Sequence, residues 1–319
     1  MAIKNFFFTR SWILCGLLLV GCAELQTRDQ VNKTASTPTT SESRTTPITE
    51  TSSALPPAAI STSSHTRPKI GVVFGPGGMK TFAQLGFLEQ LEKARIPIDY
   101  VTGLEWGSLV AGLYSIQGKA YDAQWKMLKM TERDLPRGGI FDSQARIGTV
   151  DALNNFFANT IGHQMIERAA VPFSCPAQST QTGVLTWYAT GPMARAVQHC
   201  LPYPPLFSPQ DNLSAATFAL KEAADQLRRQ GATVVILIDV LADGGMMNMR
   251  TAQENYPLYL LWLSIQTQVR NAHGIFDDVF SINVRDKGLT DFASRRSLVQ
   301  AGEVAGQGAV QTLTRKYGL

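Results

Sequence analysis

Apolar and polar positions follow two alternating rhythms from Pro68 to Leu319. Short, nearly unbroken apolar runs at Ile70–Phe74, Ile98–Thr102, Ala170–Ser174 and Thr233–Val240 predict strands buried on both faces. Elsewhere apolar residues recur every three or four positions. That period predicts helices over Thr81–Ala94, Trp106–Ile116, Asp122–Thr131, Val150–Ile161, Ser214–Gln230, Tyr256–Ala272 and Ser294–Lys316. Alternating strands and helices imply an α/β fold, a three-layer α/β/α sandwich around a mostly parallel sheet. Ligands of such sheets bind beyond the C-terminal ends of the strands, where both Gly-rich turns of this chain fall. The helical stretch YPLYLLWLSI, Tyr256 to Ile265, is apolar almost all round and is assigned to the core in preference to a lipid-facing surface.

The rhythm is absent before Pro68. Lys4 and Arg10 precede an apolar run from Trp12 to Gly21 that is too short to span a bilayer, which predicts a cleaved signal peptide over residues 1–21. Its end, Leu19-Val20-Gly21-Cys22, resembles the bacterial lipobox, whose Cys is lipidated and becomes the mature N-terminus. The resemblance implies acyl chains, such as palmitate, on Cys22, and a membrane anchored through them. Ala23, where an Asp would signal retention, implies the outer membrane of a bacterial envelope, facing the periplasm. Residues 22–67 are rich in Ser, Thr and Pro and poor in large apolar side chains, so they predict a disordered tether. About forty flexible residues reach roughly 35 Å. The folded domain is expected over 68–319.

Composition narrows the classes of function. A hydrophobic content of 44% supports one large core, and Lys4 and Arg10 account for half of the formal net charge of +4. No clustered basic face points to nucleic acid. His65, His163, His199 and His273 lack metal-ligand spacing, so neither a metal nor a cofactor is expected. Beyond Cys15 and Cys22, Cys175 and Cys200 could pair in an oxidising compartment, although two separate buried thiols are the preferred reading.

Candidate chemistry lies in the two turns. In KIGVVFGPGGMKTFAQLGFLEQL a buried strand ends at Phe74, and Gly75-Pro76-Gly77-Gly78 leads into a helix, a place where backbone amides and a helix terminus suit an anion. In VTGLEWGSLVAGLY, Gly103 and Gly107 are spaced as in a nucleophile elbow, with Glu105 where such elbows carry Ser. Ser108 lies one helical turn further on, away from the first loop, and reads as an ordinary small helix residue.

The stretch from Gly71 to Tyr114 resembles the opening of bacterial patatin-like phospholipases, with their Gly-Gly-Gly-x-Arg-Gly oxyanion loop, Ile-Pro-Ile-Asp strand and Ser elbow. VPFSCPAQSTQTG with LTWYATG resembles the family's middle hairpin. AVQHCLPYPPLFSP resembles its Pro-x-x-Phe-x-Pro segment, and SINVRDKGLTDFASRRSLVQAGEVAG its last strand, Asp-Phe turn and final helix. The likeness implies a patatin-like sandwich and lipid acyl-ester hydrolysis by a Ser/Asp dyad, with the Gly-rich amides holding the oxyanion. Gly77, Gly78 and Lys80 fall on the oxyanion loop, with Thr81 in place of its last Gly.

Departures from the pattern are concentrated in the dyad. Glu105 replaces the nucleophile, and its attack on an ester would give an anhydride. The family's Asp-Gly turn falls where this chain has SPQDNLSAATFALKEAADQLRRQGA, so Asp211 is its nearest equivalent; Asp243-Gly244-Gly245 comes after the strand and reads as a turn. A carboxylate at residue 105 would sit at a helix N-terminus, which should lower its pKa, and could bend towards the amides of Gly77 and Gly78. The leading expectation is a non-catalytic envelope lipoprotein that binds a lipid, an acyl ester or an envelope protein. The alternatives are an acyl hydrolase using Glu105 as general base, helped by Gly77, Gly78 and Lys80, and a structural envelope scaffold.

Overall fold

β1 (Ile70–Phe74) is the centre from which the rest of the molecule is built. The computed structural model describes residues 67–135, 148–203, 207–241 and 256–319. The signal peptide, Cys22, the tether, His65 and the Asp243-Gly244-Gly245 turn lie outside them, and the described residues belong to one unit, Ser63–Leu319.

From β1 the chain passes through a 3-10 turn (Gly78–Thr81) into α1 (Phe82–Lys93), then β2 (Tyr100–Gly103), α2 (Trp106–Gln117) and α3 (Ala120–Leu128). After residue 148 come α4 (Asn154–Thr160), β3 (Phe173–Ser179), β4 (Leu185–Tyr188), α5 (Met193–Cys200) and β5 (Leu213–Ala215). The chain closes with α6 (Leu220–Gln230), β6 (Val234–Asp239), α7 (Tyr256–Arg270), β7 (Asp278–Ser281) and α8 (Arg295–Tyr317). Seven strands form one sheet in the order β4-β3-β2-β1-β6-β7, with β5 also paired to β3. The pairs β1–β2, β1–β6, β2–β3 and β6–β7 are parallel, and only β4 and β5 run antiparallel, both on the outer part of β3. Successive strand residues face opposite sides of a sheet. Every residue of β1 and of β6 is buried, so helices must cover both faces, as the unbroken apolar runs require.

Register differs from the sequence expectation in informative places. The strand expected at Ala170–Ser174 runs from Phe173 to Ser179, because its outer half gains partners in β4 and β5 that no local pattern announces. Ser214 and Ala215, placed at the start of a helix by periodicity, belong to β5, and α6 begins only at Leu220. The helix expected over Val150–Ile161 opens as a 3-10 turn, Val150–Leu153. In α7, Ile265 and Val269 are buried while Leu260 is 42% exposed, so the core assignment of Tyr256–Ile265 fails at Leu260.

Cys175 and Cys200 form a disulfide between β3 and α5, which corrects the reading of two separate thiols. β4 brings Tyr188 opposite Cys175, and α5 then returns Cys200 over β3, a juxtaposition set by the hairpin and helix together.

Candidate active site

Two turns at the C-terminal ends of adjacent parallel strands make the site. β1 and β2 end side by side, with Phe74 paired to Gly103, so the loops that follow them are neighbours. Glycine is required in the second turn by space. A Cβ on Gly103 would collide with the backbone of Gly107 and Ser108, and one on Gly107 with the carbonyls of Phe74 and Gly75. Between them Glu105 adopts φ 54° and ψ −128°, outside the regions open to most side-chain-bearing residues. This sharp strand-to-helix bend presents the side chain of residue 105 to the first loop.

The first loop is fixed by its own hydrogen bonds. The Gly75 amide donates to the Ile238 carbonyl (3.0 Å), Met79 to Leu289 (2.8 Å) and Lys80 to Gly77 (3.1 Å). Buried Gln84 spans the loop from below, its amide donating to the carbonyls of Gly75 (2.9 Å) and Ile238 (3.1 Å). Thr81, where the resembled pattern has Gly, donates its hydroxyl to the Gly78 carbonyl (2.7 Å) and so belongs to the turn's scaffold. Two amides remain, and both donate to one oxygen. Gly77 N lies 2.9 Å and Gly78 N 3.0 Å from Oε2 of Glu105.

Glu105 is wholly buried, and its Oε1 has no hydrogen-bond partner. Burial therefore dominates its titration. Desolvation raises the carboxyl pKa to about 7, against the amides of Gly77, Gly78 and Trp106, which favour the charged form. This reverses the expectation that the helix terminus would hold the pKa down. Two or three dipoles do not replace the hydration lost by a fully enclosed carboxylate.

Lys80 is also fully buried, but its ammonium donates to the Val284 carbonyl (3.2 Å). Desolvation lowers its pKa to about 8, while Asp286 and Asp239 oppose that shift. The groups that shift the Glu105 carboxyl are amides and burial, and Lys80 is not among them. Ser108 is buried with its hydroxyl donating to the Glu105 carbonyl (2.6 Å), the bonding of a first-turn helix residue.

Asp211 is placed away from this pair. With Asn212 it forms the tip of a two-residue turn, at φ 51° and 60°, between the bridged residues Gln210 and Leu213. Its side chain is 58% exposed, and its Oδ2 lies 3.0 Å from Nε2 of His199. Nδ1 of His199 is 2.6 Å from the Tyr188 hydroxyl. With Asp211 ionised and His199 neutral, Nε2 donates to Asp211 and Nδ1 accepts from the Tyr188 hydroxyl. Asp211 is thus the carboxylate end of a chain that ties the β5 turn to α5 and β4, not a base for residue 105.

β5 ends at the buried Ala215, and the turn that follows it begins with the buried residues Ala216 and Thr217. Asp211 is the only acid between Phe207 and α6, so this turn carries no carboxylate. Two residues absent from the sequence reading stand near Glu105 instead. The Tyr203 hydroxyl has its pKa raised by burial and then by the charge of Glu105, with the Thr217 side chain acting in the opposite sense. Tyr203 lies inside the quoted segment AVQHCLPYPPLFSP, but nothing in its spacing marks a site residue. Trp106 fills the space beside them against Phe207, with ring centroids 6.1 Å apart. Among the described residues no group of His, Cys, Asp and Glu could hold a metal.

Comparison with known proteins places this geometry in a family. Residues 72–262 match the family model for patatin-like phospholipase, a span that contains both loops. An NTE family protein of Mycobacterium tuberculosis is 23% identical over 158 residues, 49% of this chain and 43% of that protein. The neuropathy target esterase sws of Drosophila melanogaster is 26% identical over 188 residues, 54% of this chain and 13% of its own. The chain thus spans less than half the length of these curated relatives. Among solved structures, VipD from Legionella pneumophila superposes with a TM-score of 0.47 at 11% identity, covering 77% of this chain and 67% of VipD. With more than half of its length matched by the family model, the chain belongs to the patatin-like phospholipases.

Proposed function

We propose that this protein is a non-catalytic member of its family, an envelope lipoprotein whose patatin-like site binds a lipid or acyl ligand without hydrolysing it. One observation carries the reading. Oε2 of Glu105 accepts from both free amides of the Gly-rich loop, the donors that a substrate oxyanion would need. The nucleophile is absent, the turn after β5 has no acid, and the carboxylate has no exposed surface through which to meet an ester.

Lipidation of Cys22, the signal peptide over 1–21, the tether over 22–67 and a periplasm-facing outer-membrane location are parts of the same proposal. The disulfide supports them, because such bonds persist in oxidising compartments. No helix of the described residues is long and apolar enough to cross a membrane.

A second reading is favoured by the titration that burial imposes on Glu105. A carboxyl group with a pKa of about 7 is well matched to general-base work near neutrality. The purified chain, assayed from pH 5 to 9 on short-chain esters and phospholipids, separates the two. The non-catalytic reading expects hydrolysis at background in the native chain and in Glu105→Ala. Turnover that rises through pH 7 in the native chain and disappears in Glu105→Ala would establish the base and sink the proposal. Glu105→Ala should also bind a fatty-acid carboxylate about tenfold or more tightly than the native chain, because two charge-assisted hydrogen bonds become available.

A further inference from the structure

The end of the sheet that carries the Gly-rich loop also carries a basic, aromatic surface unrelated to the Glu105 chemistry. α8 fixes its direction: Lys316 and Tyr317 at its C-terminus bind Asp278, the first residue of β7. Twenty-three residues rising about 1.5 Å each carry the N-terminus of α8 back to the C-terminal ends of the strands. Its approach segment confirms the position. The Leu289 carbonyl accepts from Met79 of the Gly-rich loop, and Phe292 meets Phe82 with centroids 6.3 Å apart.

Arg295 and Arg296 open α8 and meet the end of α3. Together with Trp125, Leu128 and Lys129 they line a cavity of about 220 Å³. Three cations line it and no acid does. Lys129 lies over the Trp125 ring at 5.4 Å, and Arg295 over Phe292 at 4.4 Å. Neither Lys129 nor Arg296 has an ion pair among the described residues. The nearby Asp291 carboxylate is engaged by Ser294, through its amide (3.1 Å) and its hydroxyl (2.6 Å). On α3, Lys126 is close enough to be repelled by Lys129, with Asp122 acting in the opposite sense. Trp125 is 55% exposed and Tyr121, one helical turn earlier, 67%.

A surface that combines unpaired Arg and Lys with exposed Trp and Tyr is complementary to a bilayer's polar boundary. Guanidinium groups bind phosphate in a fixed fork, and amphipathic rings settle at headgroup depth. We propose that the surface formed by Tyr121, Trp125, Lys129, Arg295 and Arg296 docks this domain on an anionic phospholipid membrane, with the Gly-rich end of the sheet towards the lipid. The inference rests on the lipid-binding reading above and names where the lipid phase lies relative to that site.

Co-sedimentation of the full chain with phosphatidylglycerol-containing vesicles, against pure phosphatidylcholine vesicles, tests it. The apolar N-terminal run is common to all variants, so the measured quantity is the preference for the anionic lipid. Lys129→Ala with Arg296→Ala should reduce that preference roughly 25-fold, at about fivefold per cation. Trp125→Ala should weaken binding with no change in its salt dependence. Lys221→Ala with Arg229→Ala, an equal charge change at two exposed positions of α6, should leave the preference intact. An unchanged preference in the first pair, or an equal loss in the α6 pair, overturns the proposal. Circular dichroism melting of each variant shows that the comparison is between folded proteins. No ester or Glu105 variant enters this assay, so its failure is distinguishable from failure of the acyl-site reading.

Discussion

Glu105 is unsatisfied in either protonation state. Ionised, it is fully buried with its amide donors on Oε2; neutral, it has a hydroxyl to donate, and Oε1 has no partner. Burial wins, moving the pKa from 4.5 to about 7, so the folded chain holds this proton more tightly than the unfolded one. Stability from this group is therefore complete below about pH 4.5, falls as the pH rises to about 7, and is level above that. The loss is about 3 kcal/mol on a conversion of roughly 1.4 kcal/mol per pKa unit. Glu105→Gln, which keeps shape and cannot ionise, should flatten this slope in urea titrations between pH 4.5 and 7. A slope unchanged in the Gln variant would show that other groups set it.

At the scale of elements, close backbone approach distinguishes the pair α1 and α8. A Cβ on Gly302 of α8 would meet the Ala83 carbonyl of α1, and one on Gly86 the Val299 carbonyl, so the two helices pack with glycine facing backbone. Gly302→Ala should cost about 1–3 kcal/mol through overpacking, measured by chemical denaturation. An effect near zero would show that α8 can move away freely. The disulfide acts between elements too, closing a loop across β3 and α5 with a sequence separation of 25. Its loss in Cys200→Ser should lower stability by about 3 kcal/mol, and dithiothreitol should then have no further effect. The helices and central strands were legible because their apolar period is local. β5 and α5 were not, and β4 only through the family's hairpin, since strands of four and three residues and an eight-residue helix are stabilised mainly by what they pack against.

For the molecule as a whole, the site is an assembly of segments far apart in sequence. The loop after β1 offers amides, the elbow after β2 offers Glu105, and the segment before α6 offers Tyr203 and Thr217. Ser at residue 105 would free the amides, while the turn after β5, which begins Ala216-Thr217, offers no acid to act as its base. Glu105→Ser alone should therefore hydrolyse short-chain esters no faster than Glu105→Ala, and a clear gain would show that a base reaches the site.

The residues alone were sufficient for the α/β class, the two Gly-rich turns, the family likeness and the presence of Glu105 between the elbow glycines, since each is written in local pattern or residue type. Tertiary structure decided three things. Asp211 belongs to a His199–Tyr188 chain, Cys175 meets Cys200, and burial raises the Glu105 carboxyl pKa where its helix terminus alone would have lowered it. Each depends on distance and dielectric between segments that only the folded sheet brings together, and neither quantity can be read along the chain.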